Sequence, residues 1–189
     1  LKTLVIPFAG GTSSTDGSIG LGYLFDVENN FDVPKSLKEV TLTNPSGIWG
    51  MANCQYVEKI VIQKGQYLNS FANCYSLKEI ILPDTLTTIY GGAFENCRSL
   101  TSLHIPAKVT SVDGVGNTFA GCDSLTTITV DEKNTKYDSR DNCNAIIQTS
   151  NNYLIVGCNG TKIPQSVVFI NQYAFTRCNN LTSIAIPEG

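Results

Sequence analysis

An apolar residue followed by proline closes a short apolar stretch five times in this chain, at Ile6-Pro7, Leu82-Pro83, Ile105-Pro106, Ile163-Pro164 and Ile186-Pro187. Degenerate copies stand at Leu42-Thr43, Ile62-Gln63 and Val130-Asp131. The steps between the eight are 36, 20, 20, 23, 25, 33 and 23 residues. Five of the seven fall between 20 and 25, and the two long ones are one repeat plus an insertion. A period of this size means stacked, near-identical units and excludes most other folds.

Each unit has the same internal order. A Phe-x-x-Cys precedes the strand, as Phe71/Cys74, Phe94/Cys97, Phe119/Cys122 and Phe175/Cys178, with Met51/Cys54 as a variant. Three residues after the cysteine comes Leu77, Leu100, Leu125 or Leu181, with Val57 in the variant. Two further apolar residues follow at +3 and +5, as in Leu77, Ile80, Leu82. After the proline comes a second apolar pair, Leu86/Ile89, Val109/Val112 or Val167/Ile170.

L-x-x-I-x-I reads as a bend and then a strand whose outer two side chains enter a core while the middle one faces out. One such unit cannot bury its own apolar edge. Stacking units at about 4.8 Å makes a parallel sheet and one continuous core. Proline ends the ladder because it has no N–H to donate. The expected fold is a leucine-rich-repeat solenoid of about eight coils over residues 1–189, β-rich and right-handed, with turns and short helical pieces on the other sides. Insertions are expected near 8–36 and, as a β-hairpin, near 143–158.

The pattern C-x-x-L-x-x-I-x-I-P-x-x-V/L-T-x-I with A-F-x-x-C resembles the treponemal, or BspA-like, class of leucine-rich repeats over essentially the whole chain. DEKNTKYDSRDNCNAIIQTSNNYLIVGCNGTKIP resembles an insertion found within that family. The third and fourth repeats depart from it, lacking the Pro-x-x-Val/Leu-Thr stretch. The resemblance implies a secreted or surface-anchored bacterial protein associated with adhesion, binding of host matrix proteins or other cell-surface proteins, and cell aggregation. It implies neither catalysis nor a cofactor.

Composition is compatible with such a location. Charged residues are 15% of the chain, against roughly 25% in ordinary soluble domains. The polar share comes instead from 17 Asn, 15 Ser and 19 Thr. Net charge is −3 with no run of Lys or Arg, which argues against nucleic acid, whose binding needs a concentrated basic patch. No apolar run is long enough to span a membrane. The chain starts at LKTL and stops at IPEG, inside the pattern and without polar caps, so a longer surface protein is the expectation.

Chemical motifs give way to the repeat. Cys97 and the single histidine, His104, suggest a dyad, yet Cys97 holds the repeat's core position. His104 lies between inward Leu103 and Ile105 and should point outward. Five cysteines (54, 74, 97, 122, 178) share one slot and read as buried thiols. Zinc spacing is absent, so no metal is expected. Cys143 and Cys158 are separate. If Gln148 pairs with Tyr153 across a hairpin, both pairs sum to 301, so the cysteines either bridge or pack as two more thiols. GGTSSTDGSIGLG (Gly10–Gly22) lacks the P-loop lysine and reads as a surface insertion. Asp131–Asn142 lacks the EF-hand glycine and terminal Glu.

The strand face remains as the candidate ligand site. Its outward column reads Val5, Thr41, Val61, Ile81, His104, Thr129, Ala185, and the column two residues earlier Thr3, Glu39, Lys59, Glu79, Ser102, Thr127, Ser183. Exposed Val5, Val61 and Ile81 beside Glu39, Lys59 and Glu79 suit a protein partner, or are simply β-branched residues favoured on a sheet. A glycan would suit the Asn/Thr-rich surface but usually wants exposed aromatics, and these columns hold none. A passive spacer carrying another domain is the third reading.

Overall fold

The computed structural model describes residues 1–7, 20–27, 30–45, 48, 50–69, 71–113 and 117–188. They form a parallel β-solenoid of stacked coils. The strands are β1 (Thr3–Ile6), β2 (Glu39–Leu42), β3 (Lys59–Ile62), β4 (Tyr67–Leu68), β5 (Glu79–Ile81), β6 (Thr88–Ile89) and β7 (Ser102–Ile105). They continue as β8 (Ser111–Val112), β9 (Thr127–Val130), β10 (Tyr137–Asp138), β11 (Ile146–Gln148), β12 (Tyr153–Val156) and β13 (Phe169–Ile170). The only helical pieces among the described residues are three short 3-10 turns, Leu21–Phe25, Asn30–Asp32 and Arg140–Asn142.

The main face is a parallel sheet in the order β1-β2-β3-β5, followed by the parallel pair β7-β9. Inward Val40, Leu42, Ile60, Ile62, Ile80, Leu103, Ile105 and Ile128 are buried, as the alternation requires. A second, narrower face carries β4-β6-β8, whose Leu68, Ile89 and Val112 point into the same core. The two short repeats thus differ less than expected. Tyr67–Leu68 supplies the second-face strand without the Pro-x-x-Val/Leu-Thr stretch, and an isolated bridge joins Ile48 to Leu68.

The Phe-x-x-Cys turn closes each coil by stacking like on like. Phe71, Phe94 and Phe119 pile up with centroids 5.8 and 5.5 Å apart and planes within 14° and 7°. The cysteine thiol donates to the carbonyl of the Phe-position residue one coil back: Cys74 to Met51, Cys97 to Phe71 and Cys122 to Phe94, each at 3.1 Å. The residue before the cysteine is left-handed every time, at Asn53 (φ 65°), Asn73 (61°), Asn96 (59°), Gly121 (74°) and Arg177 (54°). Asparagine tolerates that conformation better than most side chains. It also makes a ladder here, the Asn73 amide donating to Asn53 and that of Asn96 to Asn73, both at 2.9 Å. The backbone N–H of each asparagine reaches forward, Asn53 to Ala72, Asn73 to Glu95 and Asn96 to Ala120.

Three expectations change. Residues at Ile163-Pro164 and Ile186-Pro187 form no strand, so six coils rather than eight pair on the main face among the described residues. The hairpin β11–β12 keeps Gln148↔Tyr153 and Ile147↔Leu154, but a bulge shifts the next pair to Ile146↔Val156. An extra residue there moves Cys143 and Cys158 out of direct opposition. The glycine stretch Gly10–Gly22 lies outside the described residues up to position 19, and its end, Gly20–Gly22, is buried rather than a surface loop.

That buried end belongs to a plug. Asn30 accepts from the Gly22 N–H at 2.6 Å and donates to the carbonyls of Gly50 (2.9 Å) and Ala52 (2.7 Å). The bond to Ala52 replaces the one that Asn53 N–H gives to Ala72 one coil later. A side chain therefore does the work of a missing coil's backbone.

The asparagine ladder yields a test in urea. Asn73→Ala loses both ladder bonds and forces a Cβ-bearing apolar residue into left-handed backbone, costing about 1–2 kcal/mol. Asn73→Gly loses the same bonds without the steric cost and should unfold at clearly higher urea than the Ala variant. Equal midpoints would refute the backbone part of the account.

Candidate functional site: the exposed strand face

The register assembles the two outward columns. Val5, Thr41, Val61 and Ile81 lie side by side across β1, β2, β3 and β5, and His104 pairs with Thr129 across β7 and β9. Val5 is 62% exposed and Ile81 45%. The neighbouring column sets Thr3, Glu39, Lys59 and Glu79 in one row and Ser102 beside Thr127 in the next sheet. Ala185 and Ser183 belong to the last coil, which has no paired strand on this face.

Lys59 meets Glu79 at 2.9 Å. One residue earlier in each coil the signs are reversed: Glu58 meets Lys38 at 3.1 Å and Lys78 at 2.7 Å. The dipeptides Lys38-Glu39, Glu58-Lys59 and Lys78-Glu79 thus build a checkerboard of three positive and three negative charges. Hydrogen bonds from Lys78 and then Lys38 hold the Glu58 carboxyl below its ordinary range. Such exposed pairs add little stability. Their effect is to cancel charge around the Val/Thr/Ile column. Farther along, His104 Nδ1 lies 3.0 Å from Thr129 Oγ1 and Nε2 lies 3.8 Å from Asp131.

Cys97 is turned the other way, fully buried, and burial raises its thiol well above the usual range. A thiolate is the nucleophile and ligand form, so this sulfur is inert. His104 is exposed on the sheet, and the two do not meet. Burial likewise pushes Cys122 to about 12 and Cys178 to about 11. Cys143 and Cys158 are free thiols, donating to the carbonyls of Ala145 (3.8 Å) and Asn144 (3.2 Å). Cys143 is pushed by burial to about 11. Among the described residues no group of three or more His, Cys, Asp or Glu is placed to hold a metal ion, and no helix is long and apolar enough to cross a membrane. Within Asp131–Asn142, Asp131 caps the Lys133 N–H and Asp138 grips Arg140, so these carboxylates serve local turns.

Two features of this surface were not extracted from the sequence, though it carried a signal for both. Asn stands directly before Cys54, Cys74 and Cys97, and the Lys/Glu dipeptides recur every 20 residues. A third is the set of exposed aromatics away from the main face, Tyr67, Tyr153 and Phe169, which stand outside the main-face columns that the apolar-Pro period defines.

A charge-cancelled, exposed strand face on a stack of short coils defines a leucine-rich-repeat solenoid protein. The model of the BspA type Leucine rich repeat region (6 copies) matches residues 51–151 and 149–189, and the chain belongs to that family. The family is one of protein-interaction and surface modules. The solenoid superposes with a TM-score of 0.59 on a leucine rich cell surface protein from Faecalibacterium prausnitzii, at 23% identity, covering 99% of this chain and 70% of that one. It matches a leucine-rich repeat protein from Eubacterium ventriosum with a TM-score of 0.54 at 18% identity, covering 98% of this chain and 54% of that one. At these identities the likeness is one of fold. No curated protein matches the chain.

Two measurements check this surface. Glu58 has a lowered carboxyl, so its contribution is present above the ordinary carboxylate range and is lost as pH falls through the lowered value. Glu58→Gln should therefore lower the unfolding midpoint at pH 7 and leave it unchanged near pH 2; an equal drop at both would sink the ion-pair account. For the thiols, native protein should react slowly throughout, with Cys178, half-buried where the other six are buried, the first to be labelled. All 7 should react in denaturant without reductant, and fewer would mean a bridge.

Proposed function

We propose that the chain is a non-enzymatic, extracellular recognition module on a bacterial cell surface. It binds a protein ligand, a host matrix protein or another cell-surface protein, through the main strand face. The observation carrying this reading is the unbroken outward column Val5, Thr41, Val61, Ile81 across four hydrogen-bonded strands, exposed at Val5 and Ile81 and half-buried at Thr41 and Val61. Exposed apolar surface rimmed by polar groups is where proteins dock. Here Lys38, Glu58, Lys59, Lys78 and Glu79 are already paired with each other, so among the described rim charges a partner that buries the column strips water from an unpaired one only at Glu39. Glu39, Lys59 and Glu79 on one side, and Ser102, Thr127, His104 and Thr129 beyond β5, complete the contact surface.

The reading is checked on an array of extracellular-matrix proteins. Val61→Lys and Ile81→Lys place charge on the column without touching the core, and each should weaken the strongest interaction at least about tenfold, since one buried apolar side chain contributes about 1.5–3 kcal/mol. Circular dichroism should stay unchanged. Undiminished binding by both variants would exclude this face.

A further inference from the structure

We propose a second binding site, for a neutral oligosaccharide, on the separate sheet β10-β11-β12-β13, where Gln148, Tyr153 and Phe169 lie side by side. The register pairs Gln148 with Tyr153 and Tyr153 with Phe169 across β11, β12 and β13. The two rings touch, centroids 4.9 Å apart and planes inclined by 43°. Tyr153 is 37% and Phe169 50% exposed. That exposure is not the incidental openness of a last coil. Phe169 precedes inward Ile170 just as Thr88 precedes buried Ile89 and Ser111 precedes buried Val112. The slot points away from the core, and in a coil with neighbours on both sides it also holds an aromatic, Tyr67, which pairs with Thr88 and is 40% exposed.

A phenyl and a phenol in an outward slot offer flat apolar area of the kind that takes the C–H face of a sugar ring, with the phenol hydroxyl as a polar handle. The surroundings select the ligand's polarity. Around the rings stand amides and hydroxyls: Gln148, whose amide donates to Ser150 at 3.1 Å, and Asn152 and Ser166, both bonded to Arg140. Arg140, which holds Asn152 and Ser166, also grips Asp138 through two hydrogen bonds, one at 2.8 Å. A neutral polyol finds planar hydrogen-bonding groups there beside an apolar platform, to which the Arg140–Asp138 pair adds no net charge. A protein partner is disfavoured because the row, whose first member Tyr137 is buried, leaves three accessible residues, far below the area a stable protein interface needs.

The site is tested by presenting purified chain to an array of neutral gluco-, galacto-, manno- and xylo-oligosaccharides, with titration calorimetry on the best binder. Phe169→Thr and Tyr153→Thr copy the residue found at Thr88, so they keep strand propensity. Each should weaken binding at least about tenfold with an unchanged unfolding midpoint. Ile81→Lys should leave sugar binding intact, which separates failure here from failure of the main-face reading. Silence of all four sugar classes at millimolar concentration would overturn the site, as would binding that survives both Thr variants. Loss of a protein contact by those variants with no sugar bound would equally overturn it.

Discussion

The structure rests on one constraint, that each coil must hydrogen-bond to the equivalent residues of the next at the spacing of a parallel ladder. Once that is fixed, every slot of the coil becomes a column, and a residue type that suits a slot once suits it repeatedly. Phenyl groups stack because the column puts them 5.8 and 5.5 Å apart. A thiol is the right size to fill its slot and still reach a carbonyl one coil back, which explains why the same position is Cys five times. Asparagine serves before it because that backbone is left-handed and because its amide can donate to one neighbour and accept from the other.

Where the period is interrupted, side chains replace the missing backbone. Asn30 satisfies Ala52 and Gly50 on the side where no regular coil precedes. Asn134 does the same within the large insertion, donating to Pro106 and Val109 and accepting from the N–H groups of Lys136 and Tyr137, so all its polar capacity is used while buried. Ser139 accepts from Val130 N–H and so covers part of the open side of β9. Leaving such buried groups unpaired would cost about 1–3 kcal/mol each. The insertion then rebuilds its own apolar cluster from Cys143, Ala145, Ile147, Leu154 and Ala174.

The legible part of this chain is what repeats. Spacing of Leu77, Ile80 and Leu82 and its copies placed the strands, their inward faces and the buried cysteines, and alternation alone sent His104 outward. What failed was local and unrepeated. The apolar-Pro steps at Ile163 and Ile186 look like strand ends, yet Lys162 N–H goes to Cys143 and the last coil makes no ladder on the main face. The bulge between Ile146 and Ile147 leaves no mark in composition, so the matching index sum of Cys143 and Cys158 misled. Of the candidate surface, the columns followed from the period. The pairing of Glu58 with lysines on both sides depends on charge order between coils, which is visible only when the repeats are laid over one another.

The division between inward and outward slots also explains how one small fold can carry two different surfaces. Changing an inward residue disturbs two neighbouring coils at once, because Phe94 touches both Phe71 and Phe119. An outward slot has no such tie. The same outer position is Thr88, Ser111 or Phe169, and the same strand-face position is Thr41, Ile81 or His104, with the coils beneath unchanged. Recognition can therefore vary residue by residue on either face while stability is held by the columns inside. The chain shows that variation in progress, apolar with paired charge on β1 to β5, hydroxyl and imidazole on β7 and β9, and aromatic on β12 and β13.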